Sequence, residues 1–340
     1  MPAAVPLVVD CDPGIDDALA LALAAASPEV DLRQVTTVSG NSRVEVCTRN
    51  ALALLELLGR RDVPVAAGAT RAIVRVAWHG LTSPHGGNGL GGVRLPAAAR
   101  VPEAEHAVAR VASLLRTAPP RSVTVAAIGP LTNIALLLAV YPECVGAIDR
   151  VVVMGGSTGP GNITATAEFN VWTDPEAAQR VLADSGLRIT LVGLDVTRRA
   201  TLDTSMLSTL RGSSKRGALL ADMVLGYGDR RGGEWPLHDV LAVGAVMDPS
   251  LVSTRPARVE VATGLGPDRG RTACTFLPDA PAAGPGAAAP HPSTGAPPPS
   301  GGATGAPAGA PASPTRCDVA VDLDVDRFRS LLLTRVASRR

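Results

Sequence analysis

Residues 10–17 read DCDPGIDD, which places four carboxylates, Asp10, Asp12, Asp16 and Asp17, directly after an apolar run and directly before an alanine- and leucine-rich one. A single aspartate ahead of a helix serves as an N-cap. Four at this spacing repel one another unless they are protonated or neutralised by a cation, and an all-oxygen donor set selects hard ions such as Ca2+ or Mg2+. The cluster therefore reads as a metal site. Strand alternation sets Asp10 and Asp12 on one side, Pro13-Gly14 makes a turn, and Asp16 and Asp17 open a helix whose dipole favours negative charge.

The elements that must position these groups are legible nearby. The runs PLVVD, VTVAAIG, RVVVMGG and RITLVGLD are short, rich in Val and Ile and end in Gly or Asp, as strands buried on both faces do. Between them lie the helical patterns DDALALALAAA, RVEVCTRNALALLELLG, EHAVARVASLLRT and PLTNIALLLAVYP. This alternation predicts a single α/β domain with a mostly parallel central sheet flanked by helices, Rossmann-like in its winding, in which ligands bind at the carboxyl ends of the strands.

Composition narrows the class. A formal net charge of +1 gives no reason to expect a nucleic-acid or acidic-membrane partner, and no apolar run reaches the length of a membrane span. With no basic and apolar leader pattern, a cytoplasmic protein is expected. Cys11, Cys47, Cys144, Cys274 and Cys317 form no CxxC pair and read as buried thiols rather than a zinc site or disulfide framework. Residues 278–316 contain no aliphatic side chain larger than alanine and no aromatic, so they read as a disordered Pro/Gly/Ala-rich insertion. The pattern then resumes as CDVAVDLDVDRFRSLLLTRV, a strand followed by an amphipathic helix. The predicted domain is thus 1–277 together with 317–340.

With DCDPGIDD stand further segments in order: VTTVSGNSRVEVCTRNAL, HGGNGLGG, IGPLTNIALL, VVVMGGSTGPGNITATAEFNVWTDPEAA, LVGLDVT and PLHDVLAV. On these the chain resembles the inosine-uridine-preferring nucleoside hydrolases, whose signature DxDPGxDD is complete here. The resemblance implies that family's fold and the calcium-dependent hydrolysis of ribonucleosides to free base and ribose. It implies calcium ligands at Asp12, Asp17, the main-chain oxygen of Ile128 and Asp239, and a metal-activated water with Asp12 as general base. Asp10 becomes a supporting carboxylate that orients Asp12 or the waters. Asp16, Asn41, Asn162, Glu168, Asn170 and Asp239 match the ribose-binding positions, while Met154, placed after the VVV strand, reads either as a contact to the ribose or as core filling. His238 matches the histidine near the leaving base, where a proton donor is needed, and His85 lies on a glycine-rich stretch able to close over the base. The partners implied are small-molecule ribonucleosides and further copies of the chain, as a dimer or tetramer, in nucleoside catabolism and salvage.

Among other residues, Trp78 and Trp172 read as packed side chains, Trp235 as a candidate to stack on a base, and Arg198 and Arg199 as solvated. Two other functions compete. A magnesium-dependent phosphatase of the haloacid-dehalogenase type also begins with DxD, but its first aspartate is a nucleophile and the Asn, Glu and His positions have no role in it. A nucleoside- or ribose-binding protein without turnover would keep the pocket and lose hydrolysis.

Overall fold

The computed structural model describes residues 3–75, 84–228, 231–278 and 315–338. Its strands are β1 (Val5–Cys11), β2 (Val30–Thr37), β3 (Val65–Ala67), β4 (Val123–Ala127), β5 (Ile148–Met154), β6 (Ile189–Val192), β7 (Thr201–Asp203), β8 (Glu234–Pro236), β9 (Val252–Val261), β10 (Thr272–Phe276) and β11 (Cys317–Leu323). The helices are α1 (Ile15–Ala26), α2 (Val44–Leu57), α3 (Ala107–Thr117), α4 (Thr132–Val140), α5 (Phe169–Thr173), α6 (Pro175–Leu182), α7 (Leu194–Thr197), α8 (Thr204–Ser213), α9 (Lys215–Leu225), α10 (His238–Met247) and α11 (Val325–Val336).

Nine strands form one sheet in the order β3-β2-β1-β4-β5-β6-β11-β9-β10, parallel from β3 to β11 and antiparallel beyond, while β7 and β8 pair separately. Alternate residues of each central strand serve opposite cores. Leu7 and Val9 of β1 pack with α1, α2 and α10, whereas Val8 packs with α3 and α4. This is why the strands read as unbroken apolar runs. Helix α1 is buried on every side, lying against α2, α9, α10 and α11, so its DDALALALAAA sequence needs no polar face.

The C-terminal segment belongs to the same α/β body. β11 pairs with β6 and β9, and α11 buries Phe328, Leu332 and Val336 in the α1 core, each such side chain contributing about 1.5–3 kcal/mol. Of the proposed insertion, 279–314 lie outside the described residues. The residues flanking it are ordered at the amino end of β6: Phe276 pairs with Ala257, Ala257 with Cys317, and Cys317 with Ile189.

Two strands matter most for the site. β1 lies between β2 and β4, so the winding reverses at β1, and the crevice outside its carboxyl end is where an open parallel sheet binds ligands. Asp10 sits opposite Ala127, the last residue of β4, and Thr36, the penultimate residue of β2.

Candidate active site

β1 stops at Cys11, so Asp12 lies just past the strand, and Pro13-Gly14 turns the chain into α1. Asp17 closes that turn by accepting from the Gly14 N–H (2.8 Å) and the Asp12 N–H (3.2 Å). Asp10 is held from two sides: its Oδ1 accepts from Thr36 Oγ1 (2.6 Å) and from Asn133 Nδ2 (2.8 Å). Burial nonetheless pushes the Asp10 carboxyl up to about 6, those two hydrogen bonds opposing the rise.

Asp12 is sheathed by backbone. Its Oδ2 accepts from the Asn41 N–H at 2.6 Å, while its Oδ1 is buried with no hydrogen-bond partner among the described residues. Glycines make this fit possible. A Cβ on Gly40 would stand 2.0 Å from Asp12 Oδ2, and one on Gly129 would stand 2.8 Å from Oδ1. The side chain of Asn41 also reaches back, donating to the Asp12 carbonyl and to Asp17 Oδ2, both at 3.3 Å.

Asp239, the second residue of α10, joins this group from the opposite wall. Carboxylate oxygens of Asp16, Asp17 and Asp239 lie within 4.8 Å of one another, all buried. Desolvation is the main reason the carboxyls of Asp12 and Asp239 rise well above the ordinary range, and neighbouring negative charge adds to it. Asp17 is pushed up to about 7 by burial and by Asp16. Three grouped buried carboxylates, with Asp12 and its unpartnered oxygen buried beside them, form a site a hard divalent cation fits, since its charge removes both penalties at once. The main-chain oxygen of Ile128 lies at the end of β4 and accepts from Asn170 Nδ2 at 2.9 Å.

A cavity of about 350 Å3, within the range of small-molecule sites, opens over the cluster. Its walls include Asp16, Asn41, His85, Ile128, Met154, Asn162, Glu168, Asn170, His238 and Asp239, so every residue expected to bind substrate lines one space. Met154 is buried beneath it, its Sδ and carbonyl both facing the Asn170 amide. Glu168 caps α5, accepting main-chain N–H groups of Gly156, Asn170 and Val171 at 2.9–3.1 Å. Both carboxylate oxygens are thus engaged, and burial raises its carboxyl in spite of them. Asn162 Oδ1 accepts from the Phe169 N–H at 2.9 Å, which leaves its NH2 as the group it can offer a ligand.

His238 and His85 stand at different edges. His238 Nδ1 pairs with Thr197 Oγ1 at 2.8 Å. His85 Nδ1 accepts from the Ile15 N–H at 3.0 Å, which places that ring's proton on Nε2. Next to it lies a residue that sequence reasoning passed over. Tyr227, just past α9, donates to Asp16 Oδ1 at 2.8 Å and packs its ring 5.3 Å from that of His85. It stands at the head of the YGDRRGGEWPLHD stretch, but nothing local to that stretch tells a tyrosine on the cavity from one in the core. Asn133 was also passed over: beyond Asp10, it donates to the Thr37 carbonyl (3.0 Å) and accepts from the Ala69 N–H (2.9 Å).

Some expectations change. Trp235 is buried in the core and donates to the Gly228 carbonyl, and it is Pro236 that reaches the cavity. Trp172 is half-buried beneath the Arg75 guanidinium, and Trp78 lies outside the described residues. Arg198 and Arg199 are exposed but engaged, the first with Pro160 and Gly161 carbonyls, the second with Asp322 and Leu323. Four of the cysteines are buried free thiols, whereas Cys274 is only partly covered because it lies on β10 at the sheet edge.

The site can be set beside known proteins. A family model described as inosine-uridine preferring nucleoside hydrolase matches residues 7–330. The non-specific ribonucleoside hydrolase RihC of Klebsiella pneumoniae is 45% identical over 263 residues, which is 76% of this chain and 84% of that protein. The pyrimidine-specific ribonucleoside hydrolase RihA of Photobacterium profundum is 43% identical over 258 residues, 73% of this chain and 82% of that one. Among solved structures, a purine-preferring ribonucleoside hydrolase from Gardnerella vaginalis superimposes with a TM-score of 0.81 at 33% identity, with 98% of each chain covered.

Proposed function

The chain belongs to the inosine-uridine preferring nucleoside hydrolase family, and from that premise we propose that this ribonucleoside hydrolase works with a calcium ion held by Asp12, Asp17, Asp239 and the Ile128 carbonyl. The observation that carries the reading is the buried cluster of Asp16, Asp17 and Asp239 at the carboxyl end of β1, with Asp12 buried next to it and its Oδ1 left without a hydrogen-bond partner among the described residues. When bound, the ion supplies charge neutralisation for the cluster and acidification of water.

The chain's own residues supply the rest. Asp16, Asn41, Asn162, Glu168, Asn170 and Asp239 surround the ribose, and their carboxylates favour the positive charge that develops on the sugar as the C–N bond breaks. Asp12 Oδ1 takes a proton from the attacking water, whose oxygen bonds to the anomeric carbon. The bonding pair departs with the base. His238, its Nδ1 paired with Thr197, and His85, its Nδ1 accepting from Ile15, stand on the cavity wall as the proton donors to that base. Asp10, pinned by Thr36 and Asn133, backs Asp12 without reaching substrate.

The reading extends to a cytoplasmic homo-oligomer in nucleoside catabolism, which fractionation and size-exclusion chromatography test. Among the described residues no helix is long and apolar enough to cross a membrane. The central experiment compares inosine, adenosine, uridine and cytidine at steady state, with calcium removed by chelation and restored, and Asp12→Asn as control. Release of free ribose by the parent protein and its loss in the variant are expected. Nucleoside binding without ribose release by the calcium-loaded parent would overturn the proposal.

A further inference from the structure

Asn162 reaches the cavity from a loop, residues 155–168, that leaves β5 and returns at α5. A loop of this length has many conformations of similar energy unless something outside it selects one. The selecting element is the four-residue helix α7. The Leu194 N–H donates to the Gly156 carbonyl at 2.9 Å. One residue on, Asp195 takes both hydrogens that Thr158 can give: its Oδ2 accepts the main-chain N–H at 2.9 Å and its Oδ1 the hydroxyl at 2.8 Å. At the other end, Arg198 Nη2 donates to the Pro160 carbonyl at 2.9 Å and the Gly161 carbonyl at 2.8 Å. The next residue is Asn162.

We propose that Asp195 and Arg198 are positioning residues for ribose recognition, holding the 156–161 loop so that Asn162 stands on the cavity wall. This deepens the reading above and rests on it. Neither side chain lines the cavity, so neither touches substrate. Asp195 is half-buried and Arg198 exposed, and substitutions at such positions ordinarily change stability little. Their hydrogen bonds are all made to the loop and not to the core, so what they hold is the segment that leads into Asn162, which is itself tied to Ala167 and Phe169. The opposite side of the loop is held independently, by Thr272 Oγ1 against the Ser157 N–H (2.9 Å) and carbonyl (2.7 Å), so losing the α7 clamp loosens the loop without releasing it.

The test uses the full chain, calcium-loaded, with inosine and uridine as probes. Asp195→Ala and Arg198→Ala are each expected to raise KM about tenfold while kcat stays within about twofold, the mark of lost substrate binding rather than lost chemistry. Asp195→Asn and Arg198→Lys, which keep an acceptor and a donor in place, are expected to recover most of the loss. In an Asn162→Ala background, Asp195→Ala is expected to add nothing further, because residues acting through one group are not additive. Unchanged KM in both alanine variants, or a full additional loss in the double variant, would overturn the inference. If the parent protein releases no ribose from either probe, it is the functional reading that fails, and the two failures are distinct.

Discussion

The Tyr227 phenol donates a 2.8 Å hydrogen bond to Asp16 Oδ1 across 211 residues of chain, tying the end of α9 to the first turn of α1. Burial and the facing Asp16 charge push the phenol well above its ordinary range, so it remains a donor throughout the physiological range. Asp16, Tyr227 and His85 form one wall of the cavity, and the tyrosine occupies Asp16 Oδ1.

Tyr227→Phe keeps the ring against His85 and removes only that bond. A hydrogen bond to a charged acceptor contributes about 1.5–3 kcal/mol, so kcat/KM for ribonucleosides is expected to fall by roughly one to two orders of magnitude. Steady-state kinetics with a thermal melt as fold control checks this, and unchanged kcat/KM would contradict it.

Gly40→Ala displaces Asp12, the proposed general base, without altering a polar side chain. The new Cβ would stand 2.0 Å from Asp12 Oδ2 and 2.9 Å from the Pro130 ring, so Asp12 must move. A misplacement of about 1 Å at a reacting group costs on the order of 100-fold in rate. Both kcat and the rise in melting temperature on adding calcium are expected to drop, and an alanine variant with parental values of both would show that Asp12 tolerates the displacement.

The acidic cluster predicts an unusual pH response in chelator. Asp10 rises from 3.8 to about 6 and Asp17 from 3.8 to about 7. Both carboxyls bind their proton more tightly folded than unfolded. The stabilisation they give is therefore complete at acid pH and is lost as pH climbs through roughly 4 to 7. In EDTA the melting temperature is expected to fall across that window, and saturating calcium is expected to abolish the fall by neutralising the carboxylates. A melting temperature independent of pH in EDTA would count against burial as the dominant force on these groups.

Removing residues 279–314 is expected to leave kcat and KM within about twofold, since surface insertions are tolerated where the flanking backbone is held by other contacts. Those flanks are held: Phe276 by Ala257, Cys317 by Ala257 and Ile189, and Thr315 by the Ala183 carbonyl. All of this lies at the amino end of β6, whereas the cavity opens at the carboxyl ends. Loss of most of the activity in the shortened chain would refute this placement.

Much of the site was legible because its residues sit where local structure changes type. Asp12, Asp16 and Asp17 mark the end of a buried strand and the start of a helix, and both boundaries can be read from apolar periodicity and a Pro-Gly turn within a few residues. His238 and Asp239 open α10 in the same manner. Arg198 is exposed, as its sequence context suggests, but its two carbonyl partners belong to a loop with no period to read. Trp235 drew notice for its nearness in sequence to His238, but β-strand alternation in β8 sends it to the core and leaves Pro236 at the cavity.

By itself the sequence determined the alternation of strands and helices and the carboxylate cluster with its mutual repulsion, because these depend on spacing along a few turns of chain. Only the tertiary structure decided what surrounds them. The reversal of winding at β1 brings Ile128 and Asn133 beside Asp10 and Asp12, and packing of α9 and α7 against the site delivers Tyr227, Thr197 and the Asp195–Arg198 clamp. Such contacts join residues tens to hundreds of positions apart. Their energy comes from geometry that no local pattern encodes, so a tyrosine, a threonine and an exposed arginine acquire a role only when the chain has closed around them.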